Sequence, residues 1–155
     1  MTVKVTQPAI NLREKLSELE KRQPLGYTPA FSAQSTNNHT FTTGDQAMAS
    51  YLSTVDLNSG GHFESGIFTA PVSGIYHFSF KASASYSSGY CYSYIFVNES
   101  GVSGVYAQFF QTTNTATISA TMSLNAGDRV SPYISTNYAS GTFYQMLFTG
   151  HFVGY

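Results

Sequence analysis

Residues 63–80 read FESGIFTAPVSGIYHFSF. From Gly74 onward the pattern alternates strictly: Tyr76, Phe78, Phe80 and Ala82 fall on one side, and His77, Ser79 and Lys81 on the other. Side chains of an extended strand point alternately to opposite faces, so this is a strand with one buried, aromatic face. Flanking segments repeat the pattern. Residues 90–98 set Cys91, Ile95 and Val97 against Tyr92, Tyr94 and Phe96. Residues 115–124 set Ala116, Ile118, Ala120, Met122 and Leu124 inward, with Thr117, Ser119 and Thr121 outward. Further strands are expected over 102–112, 129–136 and 143–155, with Asn98-Glu-Ser-Gly101 and Asn125-Ala-Gly-Asp128 as turns. Gly104 marks a bulge and Pro132 an edge position. Many short strands with Gly-rich turns and no helical period after residue 24 predict an all-β sandwich or barrel.

Composition agrees. A chain of 155 residues suits one domain with a sizeable core. All 12 Tyr and 12 Phe lie after residue 22, and only 10% of residues are charged. Outer faces of Ser, Thr and Tyr leave a surface poor in charge, which favours burial in an oligomer. Five of the seven basic residues fall in residues 1–22, so the remainder keeps two, against five acidic residues. Phosphate binding needs clustered Lys and Arg, so the globular part is not expected to bind nucleic acid. No long apolar run predicts membrane insertion, and no apolar leader opens the chain. With a single Cys91 there is no intrachain disulfide, which fits synthesis in a reducing compartment.

The spacing of Asn58, Phe63, Phe68, Gly74, Tyr76, Phe78 and Phe80 resembles the signature of the complement C1q-like globular domain. The likeness continues in Leu124-Asn-Ala-Gly-Asp128-Arg-Val130 and in Phe148-Thr-Gly150-His-Phe152, spanning roughly residues 28–155. Leu52 stands where that pattern has an aromatic, and the Phe63–Phe68 interval is two residues shorter. Both departures bear on local register. The resemblance implies a jelly-roll sandwich of the C1q and tumour-necrosis-factor type, assembled as a homotrimer, and a binding module rather than an enzyme.

Residues 1–26 read as a separate attachment or stalk segment ahead of a jelly-roll domain at 27–155. Asn11 and Glu14 have capping-box spacing, and Leu12, Leu16 and Leu19 follow at coiled-coil steps. Pro24 and Gly26 end the helix. An isolated helix this short is marginal, so it must dock on its copies, on the head or on a partner. The opening MTVKVTQPAINLREKLSELEKR resembles the start of virion structural proteins of tailed bacteriophages, in Pro8-Ala-Ile-Asn-Leu-Arg-Glu14 above all. That likeness implies a decoration knob or fibre head in the virion, joined to a capsid or tail protein through residues 1–26. A secreted or soluble extracellular, lectin-like recognition protein of an invertebrate is the alternative.

Strand parity gathers the breaks near 84–90, 112–116 and 137–142 at one end, opposite the C-terminus. The C1q-like resemblance implies that the N-terminus lies near the C-terminus, which sets the stalk at the base and these breaks at the free tip. Tyr86, Ser87, Ser88, Tyr90, Asn137 and Tyr138 in those breaks have the composition of paratope loops, so they are the expected ligand-binding residues, with host-surface glycans as the ligand. The same residue types also serve ordinary turns. No catalytic residue, metal ligand or cofactor is expected. His39, His62, His77 and His151 form no close-spaced ligand motif, and no GxSxG, HExxH, phosphate loop or EF-hand occurs. Asp128 is expected to serve its turn. Asn38 and Asn98 match glycosylation acceptors.

Overall fold

Alternating large apolar and small polar side chains can bury one face only when the chain is extended, and strands account for most of the fold. The computed structural model describes residues 26–41, 44–86, 90–99, 105–110, 113–136 and 141–155. Twelve strands follow in order: β1 (Ala30–Ser35), β2 (His39–Phe41), β3 (Gly44–Ala47), β4 (Thr54–Ser59), β5 (Phe63–Glu64), β6 (Ile67–Thr69), β7 (Gly74–Tyr86), β8 (Tyr90–Val97), β9 (Val105–Phe110), β10 (Thr113–Leu124), β11 (Arg129–Thr136) and β12 (Gly141–Gly154). A single 3₁₀ turn, Ala49–Tyr51, is the only helical element among the described residues. The helix expected around Leu12, Leu16 and Leu19 lies outside them.

One sheet runs β10-β7-β12-β1-β4, with β2 also on β12; the other runs β5-β6-β11-β8-β9, with β3 also on β11. The strands pair antiparallel, and the two sheets pack face to face as a jelly-roll sandwich. The alternation read in residues 74–83 holds: Tyr76, Phe78, Phe80 and Ala82 are fully buried between the sheets, and the strand carries on past the expected break so that Ala84 is buried as well. Ile118, Ala120 and Leu124 face them from β10. The ring of Phe31 stacks on Phe63 at 4.4 Å and on Phe68 at 5.2 Å, and meets Phe148 edge-on at 4.9 Å. A Cβ at position 150 would lie 2.5 Å from both Phe31 and Phe78, so only Gly150 lets those rings close.

The sequence signature now has physical causes. The Asn58 amide donates to the Phe63 carbonyl at 2.8 Å and accepts from its N–H at 3.0 Å, clasping the turn between them. The Tyr76 hydroxyl donates to the Val72 carbonyl at 2.8 Å, tying β7 to its lead-in, and burial pushes its pKa up. Leu52 is buried in the core despite standing where an aromatic was expected. The short Phe63–Phe68 interval is a two-residue hairpin in which Phe63 faces Phe68 across the ladder. Its turn residues Ser65 and Gly66 both have positive φ, 49° and 78°, as in a type I′ turn.

Pro132 corrects an expectation. It sits on β11, a central strand paired with β8, and not at a sheet edge. On the other side of β11, β6 reaches only Val130 and β3 begins only at Tyr133. Pro132 therefore falls in the gap between two partners, where the Met48 N–H donates to its carbonyl at 2.9 Å and no ladder bond needs its missing N–H.

Asp128 serves its turn as expected. Its carboxylate accepts from the Asn98 amide at 2.9 Å and from the Asn125 N–H at 2.7 Å, while the Asn98 carbonyl oxygen accepts from the Arg129 N–H at 2.9 Å. These bonds, the one from Asn98 first, hold the Asp128 carboxyl below its ordinary range. The carboxylate is therefore favoured by folding. Its contribution is complete above the unfolded value of about 4 and is lost as pH falls through the lower folded value. Asp128→Asn is expected to be less stable than wild type at pH 7, with the gap narrowing below about pH 4 in chemical unfolding curves. A pH-independent gap would reject this account. Gly66→Ala is expected to cost about 2–4 kcal/mol, from left-handed strain and overpacking. Its Cβ would collide with the Ala49 backbone. Thermal melts check this, and an unchanged Tm would show that the hairpin is remade without loss.

Candidate recognition surfaces

Register fixes which connections share an end. Tyr86 faces Gly141, Ser85 faces Thr113, Tyr90 faces Phe110, and Thr136 faces both Cys91 and Gly44. The ends of β7, β9 and β11 and the starts of β8, β10 and β12 thus meet at one pole. At the other pole Ala30 faces His151, and the Phe152 N–H donates to the Pro29 carbonyl at 2.9 Å. The 13 residues of β7 run between the poles, a length of about 40 Å at strand rise. The chain enters the head at one pole and carries its loop-bearing strand ends at the other.

Of the residues expected to bind a ligand, Tyr86 and Tyr90 are the last residue of β7 and the first of β8. Ser87, Ser88, Asn137 and Tyr138 lie outside the described residues, as do Leu12, Leu16 and Leu19. One aromatic near that pole escaped the sequence reading. Tyr144 is 41% exposed where β12 shifts register against β7 between Phe143 and Gln145. A bulge of this kind leaves no local sequence mark.

The outer face of the β8–β11 sheet is a second candidate. Tyr92, Tyr94 and Phe96 project outward from β8, half-buried, while Ser93 and Ile95 are buried beneath. Their ring centroids are 6.3 Å and 5.2 Å apart, and Phe96 meets Tyr133 of β11 at 4.6 Å. No charged residue occurs on β8, and on β11 only Arg129, at its far end. Flat aromatic rings without charge suit apolar or neutral polyhydroxylated partners.

The outer face of the β7–β12 sheet is chemically different. Ser83 and Thr115 hydroxyls bond at 2.7 Å, and the Ser119 hydroxyl donates to Ser79 at 3.2 Å. Lys81 lies among them, and the Gln34 amide donates to Asp56 at 2.9 Å on the β1–β4 side. Toward the chain-entry pole His77 and His151 are register partners with ring centroids 5.6 Å apart, and His77 Nδ1 is 2.9 Å from Thr121 Oγ1. The other described histidines are held structurally: His39 by Ser35 and His62 by Tyr27. Cys91 is paired through its backbone with Thr136. The described residues of one chain gather no three His, Cys, Asp or Glu side chains fit for a metal ion. None of the described helices is long and apolar enough to cross a membrane. The Asn98 side chain is engaged at both ends, its N–H donating to Asp128 and its carbonyl oxygen accepting from the Arg129 N–H.

A sequence profile described as the C1q domain matches residues 30–155. No curated protein sequence matches the chain. Among solved structures, the chain is similar to the globular domain of the zebrafish complement 1qA protein, with TM-score 0.64 and 20% identity over 81% of this chain and 97% of that one. It is also similar to Eiger TNF from S. frugiperda, with TM-score 0.58 and 10% identity over 81% and 94% of the two chains. Murine APRIL gives TM-score 0.54 and 11% identity over 79% and 98%.

The two aromatic surfaces differ in how far their rings are tied to the fold. Tyr144→Ala removes an exposed ring at a bulge and is expected to change stability by less than about 0.5 kcal/mol. Tyr94→Ala removes a ring packed on two neighbours and is expected to cost about 1–2 kcal/mol. Thermal unfolding of both variants decides the matter, and equal losses would contradict the distinction.

Proposed function

This chain belongs to the C1q-domain family, and from that premise we propose that it is a non-enzymatic, trimeric virion structural protein: a decoration knob or fibre head attached through residues 1–26. The observation that carries the reading is polarity. The described chain enters beside its own C-terminus, where Ala30 faces His151, while the ends of β7 and β11 and the starts of β8 and β12 gather at the far pole. A head built this way is held at one end and presents loops at the other.

Trimer formation is supported by composition and by surface chemistry. Charged residues make up 10% of the chain, and the two outer sheet faces carry aromatic rings and hydroxyls. Burying such surface between copies removes it from water without stranding charge. The likeness to phage virion proteins in Pro8–Glu14 supplies the partner class, a capsid or tail protein, for the attachment segment. At the free pole Tyr86, Tyr90 and Tyr138 would stack on host-surface sugars, with Ser87, Ser88 and Asn137 hydrogen-bonding to them. Each copy alone would bind weakly, and three on one rigid head would gain roughly 10²–10⁴ in avidity on a matching array. A soluble extracellular recognition protein of an invertebrate would use the same polarity with a different tether.

One experiment tests both parts. Light scattering at micromolar concentration is expected to give three times the chain mass, for the full chain and for a chain lacking residues 1–26. Only the full chain is expected to join purified particles. A stable monomer would overturn the trimer, and wild-type incorporation of the truncated chain would overturn attachment through residues 1–26.

A further inference from the structure

His77 and His151 are far apart in sequence, and the β7–β12 ladder sets them side by side. Both lie on the outer face of the sheet, on two central strands joined by a long antiparallel register. The Thr121 hydroxyl, 2.9 Å from His77 Nδ1, orients that ring from the third strand. With the proton on Nδ1 donated to Thr121, Nε2 of His77 is a lone-pair donor, the arrangement in which metal-binding imidazoles are normally held. A ligating nitrogen sits about 2.0–2.1 Å from its metal, so two rings at neighbouring positions of an octahedral ion have centroids about 4.5 Å apart. The observed 5.6 Å is about 1 Å wider, a gap that rotation of the two side chains closes without strand movement.

Two imidazoles fill only part of a coordination sphere, and the described residues of one chain supply no third group. The missing ligands have a source in the proposed assembly. His151 faces Ala30, the first residue of β1, and β1 lies beside β12 in this sheet. The chain beyond Gly26 therefore leads directly into the sheet that carries the pair. A threefold stalk joined there draws this sheet, rather than the β8–β11 sheet, toward the common axis. Lys81 is four residues along β7 from His77, and Asp56 of β4 accepts from Gln34 of β1, so hydroxyls and imidazoles dominate the intervening surface.

We propose that His77 and His151 from three copies form one shared site for a late first-row divalent cation, Ni²⁺, Co²⁺ or Zn²⁺, at the chain-entry pole of the head. This rests on the trimer reading. An imidazole donor set selects these ions over Ca²⁺ and Mg²⁺, which require oxygen ligands. Six neutral imidazoles would complete an octahedral shell, and the ion would lock the three heads where the stalk begins.

The test uses the full chain, first stripped with chelator and examined by light scattering, then titrated calorimetrically with NiCl₂, and with CaCl₂ as control. One Ni²⁺ per three chains, no Ca²⁺ uptake, and a Tm raised by several degrees at saturating metal are expected. His77→Asn with His151→Asn is expected to weaken Ni²⁺ binding at least 100-fold while the chelated protein keeps its assembly state. His151→Gln alone, at an exposed position, gives the same direction if the double variant misfolds. A trimer that takes up no Ni²⁺, takes up one ion per chain, or binds equally well without the histidines overturns the shared site and leaves the trimer standing. A chain monomeric with and without metal overturns both.

Discussion

Five phenylalanines converge on one point between the sheets, and the rest of the molecule is arranged so that they can. Phe31 touches Phe63, Phe68, Phe78 and Phe148, rings contributed by β1, β5, β6, β7 and β12. Rings this large bury roughly 150–250 Å² each, so a cluster of five dominates the driving force for closing one sheet on the other. It also constrains the backbone. Gly150 has no side chain because Phe31 and Phe78 occupy the space a Cβ would take. The hairpin at Ser65–Gly66 is tight because Phe63 and Phe68 must face one another across two short strands.

Around that centre, side chains do work that backbone ladders cannot. Asn58, Asn98 and Asp128 each satisfy more than one backbone or amide group across a turn near the chain-entry pole. The Tyr76 hydroxyl adds a bond to the Val72 carbonyl at the foot of β7. Turns braced this way can be short.

The strands were legible because alternation is a local property: residues 74–83 and 115–124 declare their buried faces without reference to any partner. The spacing of Asn58, Gly74, Tyr76 and Gly150 was legible as a resemblance, and its reasons became visible only with the contacts those residues make. Pro132 shows where local rules stop. Its missing donor does face a position without a ladder bond, as an edge would provide, yet the strand is central because β6 and β3 share its flank and leave a gap. Tyr144 and the His77–His151 pair were invisible for the same reason, since a bulge and a register are properties of two strands. The composition of residues 86–90 and 137–138 could be read, but composition does not say whether a ring is packed or presented.

The first strand has one more consequence. β1 meets β12 through six register pairs, from Ala30 to Ser35, and lies parallel to the line joining the two poles. If the head is held at its entry and gripped at its far end, tension runs along β1 rather than across it. The rungs of that ladder are then sheared together, and none can be peeled open before the next. A head loaded in that way would bear the pull in shear, with mechanical strength set by backbone hydrogen bonds in the middle of a sheet.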